Sequence, residues 1–143
     1  MRLLILTLFL AGLSFAQPHI IVKDAWVREV PPVSTMSAAF FKLLNTGDED
    51  DYLVGVKSNV SKVAEIHTTI MEDGMMKMRM LKEVKVPAGG SVEFKPMGKH
   101  VMLIDLKKPL RAGEKVKLTL IFKKSGEVVV NAPVRSMHMK MHH

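Results

Sequence analysis

A hydrophobic period of two constrains this chain more than any other feature. Val116, Leu118, Leu120 and Phe122 alternate with Lys115, Lys117, Thr119 and Ile121, and Val92 and Phe94 alternate with Ser91, Glu93 and Lys95. A helix brings apolar residues together every three or four positions, whereas successive side chains of a strand point to opposite faces, so the pattern belongs to half-buried strands. Further β-rich runs lie at 20–27, 38–44, 52–57, 64–69, 75–81, 100–106 and 128–134. They are separated by Asn45-Thr46-Gly47, Asp73-Gly74, Pro87-Ala88-Gly89-Gly90, Arg111-Ala112-Gly113-Glu114 and Ser125-Gly126-Glu127. No comparable stretch supports a long helix. Roughly nine short strands punctuated in this way predict an all-β sandwich or barrel with Greek-key crossings.

The length, 143 residues, suits one domain that buries a core unaided. There is no cysteine, which excludes disulfides, zinc fingers, iron–sulfur clusters, thiol nucleophiles and cysteine-ligated copper. Soft-metal chemistry is left to methionine sulfur. Residues 1–16 read as a signal peptide, with a positive Arg2, an apolar run from Leu3 to Leu13, and cleavage near Ala16 after Ser14-Phe15. The run ends at Gln17-Pro18-His19, short of the ~20 apolar residues of a spanning helix, and a lipid anchor would need a cysteine at the cleavage site. The expected product is a periplasmic protein that does not span the membrane, with its folded domain at 17–136 and a tail at 137–143. The net charge of +7 fits a solvated sheet face at Lys107-Lys108, Lys115, Lys117 and Lys123-Lys124. No basic run interleaves with aromatics, so nucleic acid is not the expected partner.

Methionine and histidine carry the chemistry. The chain has 12 Met and 6 His. Met71, Met75, Met76, Met78 and Met80 surround the Asp73-Gly74 turn; on a strand, Met76, Met78 and Met80 share one face and Met75, Lys77 and Arg79 the other. Taken singly, each reads as a gap-filling core residue. The tail is Met137, His138, Met139, Lys140, Met141, His142 and His143, unable to build a core but offering soft and borderline ligands that could take Cu(II). His19 would be third in the mature chain, where an amino-terminal copper(II) site needs an amide proton that Pro18 lacks, so it reads as a strand-edge residue.

The spacing His67-x10-Met78-x21-His100-x-Met102 resembles the motif of the PCu(A)C copper chaperones. Asp24-Ala25-Trp26-Val27-Arg28, Asn45-Thr46-Gly47, Asp73-Gly74, His100-Val101-Met102-Leu103, Pro109-Leu110 and Gly113 are also similar to that family, across nearly all of 24–134. Pro96-Met97-Gly98-Lys99 departs from it, since the family carries a Gly-Gly pair there. The resemblance implies a cupredoxin-like β-fold and a Cu(I) site of His67, Met78, His100 and Met102. It also implies delivery of copper to the dinuclear site of cytochrome c oxidase subunit II, alongside a Sco-type thioredoxin-like protein.

The donor chemistry agrees. Thioether and imidazole suit the soft d10 ion Cu(I), whereas hard cations want oxygen. His100 and Met102 project from one strand face, and His67 and Met78 flank the Asp73-Gly74 turn, so the four can converge near one rim. Sequestration or resistance would use the same ligands as delivery. An enzyme would need a base beside the metal. The nearest acids are Glu65, Glu72 and Asp73, with Glu65 expected on the opposite strand face from His67, and no catalytic constellation emerges. A structural sandwich with a methionine-lined core is the remaining alternative.

Overall fold

The computed structural model describes residues 16–136; the expected leader up to residue 15 and the tail 137–143 lie outside the described residues. The strands are β1 (Ile20–Arg28), β2 (Met36–Asn45), β3 (Asp51–Ser58), β4 (Ser61–Glu72), β5 (Met75–Met80), β6 (Val84–Val86), β7 (Ser91–Phe94), β8 (His100–Leu106), β9 (Lys115–Phe122) and β10 (Gly126–Arg135). No helix occurs among the described residues. The strand absent from the sequence reading is β6, whose three residues are too few to display a period.

The strands follow one hydrogen-bonded path, β5-β4-β8-β2-β1-β10-β9-β3-β6, with β7 also paired to β2. Only the β1–β10 pairing is parallel among those between named strands. Val27, Phe41, Leu43 and Leu103 from one half of this path join Leu53, Leu118, Leu120 and Phe122 from the other in a single buried cluster. The two halves thus enclose one core, as the alternation requires.

The face of the first half turned away from that core is not uniformly polar. Trp26, Ala38 and Phe40 form a second small buried cluster there, with the Trp26 and Phe40 ring centroids 4.6 Å apart. A bulge in β1 makes this possible. Val22 pairs with Leu43 and Val27 with Ala39, so the register slips by one residue between Lys23 and Trp26, at an Asp24 with φ of 53°. The extra residue sends Trp26 to the outer face while Val22 and Val27 both stay on the core side.

The β4–β8 ladder positions the residues of interest. Ile66 opposite Val101 and Ala64 opposite Leu103 face the core; Glu65 opposite Met102 and His67 opposite His100 face outward. Beyond His67, β4 outruns β8 and continues with β5 as a two-stranded arm. The arm closes through Asp73 and Gly74, with φ of 52° and 76°, the positive pair that a tight two-residue hairpin needs. Its methionines are not core. Met71, Met75, Met76, Met78 and Met80 are 49–68% exposed, because the arm has no second layer to pack against, which also removes the methionine-lined-core alternative.

Two buried polar side chains tie the loops to this frame. Asn45 Nδ2 donates to the carbonyls of Glu49 (2.8 Å) and Val86 (3.1 Å), and its Oδ1 accepts from the N–H groups of His19 and Gly47, both at 3.0 Å. Gly47 is required beside it, since a Cβ there would collide with the Gln17 carbonyl oxygen. Asp51 is fully buried. Its carboxylate accepts from the N–H groups of Tyr52 (2.8 Å), Lys124 (2.9 Å) and Ser125 (2.9 Å), and from Ser125 Oγ at 2.6 Å, which fastens the β9–β10 turn to β3.

Burial opposes the charge on Asp51, but the Ser125 hydroxyl and the three backbone donors outweigh it and hold its carboxyl below the ordinary 3.8. A folded-state value below the unfolded one stabilises the fold fully above about pH 3.8 and less as pH falls through the folded-state value. Asp51→Asn turns one acceptor into a donor facing other donors. It should cost about 1–3 kcal/mol at neutral pH, read by urea unfolding, and the gap from the parent should narrow below pH 3.8.

Candidate metal centre

His67 and His100 sit directly opposite one another on β4 and β8, with ring centroids 5.8 Å apart at an interplanar angle of 46°. Their proton positions follow from their neighbours. His100 Nδ1 lies 2.9 Å from the Gly98 carbonyl oxygen; a carbonyl only accepts, so Nδ1 donates and Nε2 keeps its lone pair. His67 Nε2 lies 3.0 Å from Glu65 Oε1 and donates to that carboxylate, leaving the lone pair on Nδ1. Both free nitrogens, His67 Nδ1 and His100 Nε2, are buried without a hydrogen-bond partner. His100 itself is only 5% exposed.

A buried acceptor without a partner costs about 1–3 kcal/mol, so two on facing rings call for a third body. The thioethers supply its chemistry. Met102 stands two residues beyond His100 on the same face of β8, and Met78 stands opposite Thr69, one step along β4 from His67. His100, Met102 and Met78 line one cleft of about 260 Å3, together with Thr69, Met76 and Met97. His67 borders the group through His100. The four residues singled out from the spacing are therefore gathered on the outer sheet face where β8 begins. No group of three His, Cys, Asp or Glu is placed to hold a metal ion among the described residues. The donors gathered here are instead imidazole and thioether, which suit a soft ion.

One expectation is corrected. Glu65 was expected on the opposite strand face from His67, but residues two apart on a strand share a face, and its carboxylate contacts the imidazole directly. Alternation alone could have shown this. Met76 and Met97 as cleft residues, and Met80 as the register partner of His67, were not separable from their neighbours in the sequence. His19 is exposed and uses its backbone to bond Asn45 and Thr46. The tail residues Met137, His138, Met139, Met141, His142 and His143 lie outside the described residues.

Known proteins are similar to this chain in sequence and fold. Residues 20–134 match the family described as "Putative lipoprotein LpqE-like". The "Putative lipoprotein Lxx21020" of Leifsonia xyli subsp. xyli is 36% identical over 115 residues, 80% of this chain and 68% of that protein. The copper-bound PCuAC domain from PmoF2 superposes with a TM-score of 0.70 at 26% identity, covering 84% of this chain and 98% of that domain. The Cu(I) form of DR1885 from Deinococcus radiodurans gives 0.66 at 35% identity, over 84% and 80% of the two chains. With its all-β cupredoxin-like fold and a family match across the whole described sandwich, the chain belongs to the LpqE-like family, which is the PCu(A)C family.

Proposed function

We propose that this protein is an exported, periplasmic Cu(I) carrier that holds its ion on His67, Met78, His100 and Met102. The observation that carries the reading is the pair of buried, unpartnered imidazole nitrogens, each with its proton fixed on the other ring nitrogen, beside a thioether-lined cleft. The copper-bound relatives support it. Two neutral sulfurs and two neutral nitrogens suit Cu(I) and resist oxidation to Cu(II), which favours carriage over redox catalysis. The acid nearest the donors, Glu65, is engaged with His67. Its carboxylate orients the ring and fixes the proton on Nε2.

The client we assign is the dinuclear copper site of cytochrome c oxidase subunit II, with a Sco-type protein as co-worker. Residues 1–16 act as the export signal, and the tail of Met137, His138, Met139, Met141, His142 and His143 takes up Cu(II).

Competition of the apoprotein against a Cu(I) chelator tests the site. Glu65→Ala should weaken Cu(I) binding about 10- to 100-fold, with Glu65→Gln, which keeps a neutral acceptor, recovering part of the loss. Met78→Ile combined with Met102→Ile removes both sulfurs at nearly constant bulk and should cost more than either Glu65 change, without altering the strand-dominated circular dichroism spectrum. Parent-like affinity in the double variant would overturn the four-ligand assignment. Delivery rather than sequestration predicts that the subunit II copper domain takes Cu(I) from the loaded protein faster than the ion dissociates to chelator.

A further inference from the structure

The cleft holds more sulfur than one ion can use. Besides Met78 and Met102 it is lined by Met76 and Met97, and Met71 faces Met76 directly across the β4–β5 ladder. Met97 occupies a costly position. The Gly98 N–H bonds the Lys95 carbonyl at 2.9 Å, closing a turn with Pro96 at its second place and Met97 at its third. Met97 there has a φ of 73°, which such a turn ordinarily assigns to glycine. The side chain so presented is 70% exposed, so packing does not explain it. Two cationic side chains, Arg28 and Lys77, also line the cleft, and each is engaged by a neighbour. Glu72 pairs with Lys77 at 3.2 Å and Arg79 at 3.8 Å, and the Arg28 guanidinium lies over the Phe40 ring, 5.3 Å from its centroid.

We infer that Met76 and Met97, with Met71 behind Met76, form an accessory soft-metal site at the mouth of the cleft that binds a second d10 ion by thioether sulfur alone. The inference rests on the reading of His67, Met78, His100 and Met102 as the primary site, because that reading leaves these three sulfurs over. A site of neutral thioethers on an exposed arm is weaker and faster-exchanging than one with two oriented imidazoles. It suits capture or hand-off by ligand exchange through the adjacent Met78, with no change in oxidation state: one sulfur–metal bond breaks as the next forms.

Silver(I), a soft d10 ion that does not change oxidation state under these conditions, tests this on the full chain labelled with [methyl-13C]methionine, each resonance being assigned by a single Met→Leu replacement. The first equivalent should shift the Met78 and Met102 methyls, and further silver should shift those of Met76 and Met97. Met97→Leu should abolish the later shift of Met76 while leaving the response of Met78 and Met102 intact. Met76 and Met97 methyls that stay unmoved while Met137, Met139 and Met141 take the added silver would overturn the accessory site. So would movement of Met76 and Met97 together with Met78 and Met102 in the first equivalent, which would make them primary ligands, or a response only to an added copper-domain partner. If Met76 and Met97 respond and Met78 and Met102 never do, the accessory site stands and the primary reading falls.

Discussion

The register of β4 against β8 is the constraint on which the rest of the molecule's candidate chemistry depends. Ile66 opposite Val101 and Ala64 opposite Leu103 hold that register from the core side; on the other side the same pairing sets His67 against His100. A slip of β4 by one residue would turn His67 and Glu65 into the apolar core and Ile66 and Ala64 toward water. Hydrophobic burial, which has no interest in metal, thereby fixes the separation of the two nitrogen donors.

Geometry alone would not make those nitrogens donors, since a neutral imidazole can present either one. The Gly98 carbonyl claims the proton of His100 Nδ1 and the Glu65 carboxylate that of His67 Nε2, so the lone pairs are left on His100 Nε2 and His67 Nδ1. The same Lys95–Gly98 turn that supplies the carbonyl also lifts Met97 into its left-handed conformation. One short turn thus serves both the tautomer of the buried histidine and the presentation of an exposed thioether.

The outer sheet face is divided by what lies behind it. Near β1 and β2 the bulge at Asp24 places Trp26 beside Phe40, and Phe40 and Ala38 give the cleft apolar lining. Toward β5 the sheet thins to a two-stranded arm with no second layer, and its long apolar side chains remain in solvent. Thioethers are at home there because they are apolar yet polarizable. The ion pairs of Glu72 with Lys77 and Arg79 keep the other face of the arm charged, which guards an unpaired edge against association.

By itself, the sequence located most of the strands and singled out the four residues proposed as ligands. Alternation at 91–95 and 115–122, with seven further β-rich runs bounded by turn residues, located nine of the ten strands of the described residues, and β6 was illegible only because three residues carry no period. The spacing of His67, Met78, His100 and Met102 picked out four residues that the β4–β8 and β4–β5 ladders bring to one sheet face. The tertiary structure decided what depends on which layers meet. Each methionine of the arm reads as core in isolation and is exposed because nothing packs over β5; burial is a property of neighbours, which a linear pattern does not contain. The tautomers of the two histidines depend on a carbonyl and a carboxylate brought within 3.0 Å, although the Glu65 contact was open to the same two-residue alternation that located the strands. Met97 stood out in the sequence as a departure from the family beside His100, but its left-handed conformation and its place on the cleft came from the structure, since the conformation of a turn residue follows from the chain ends it must join.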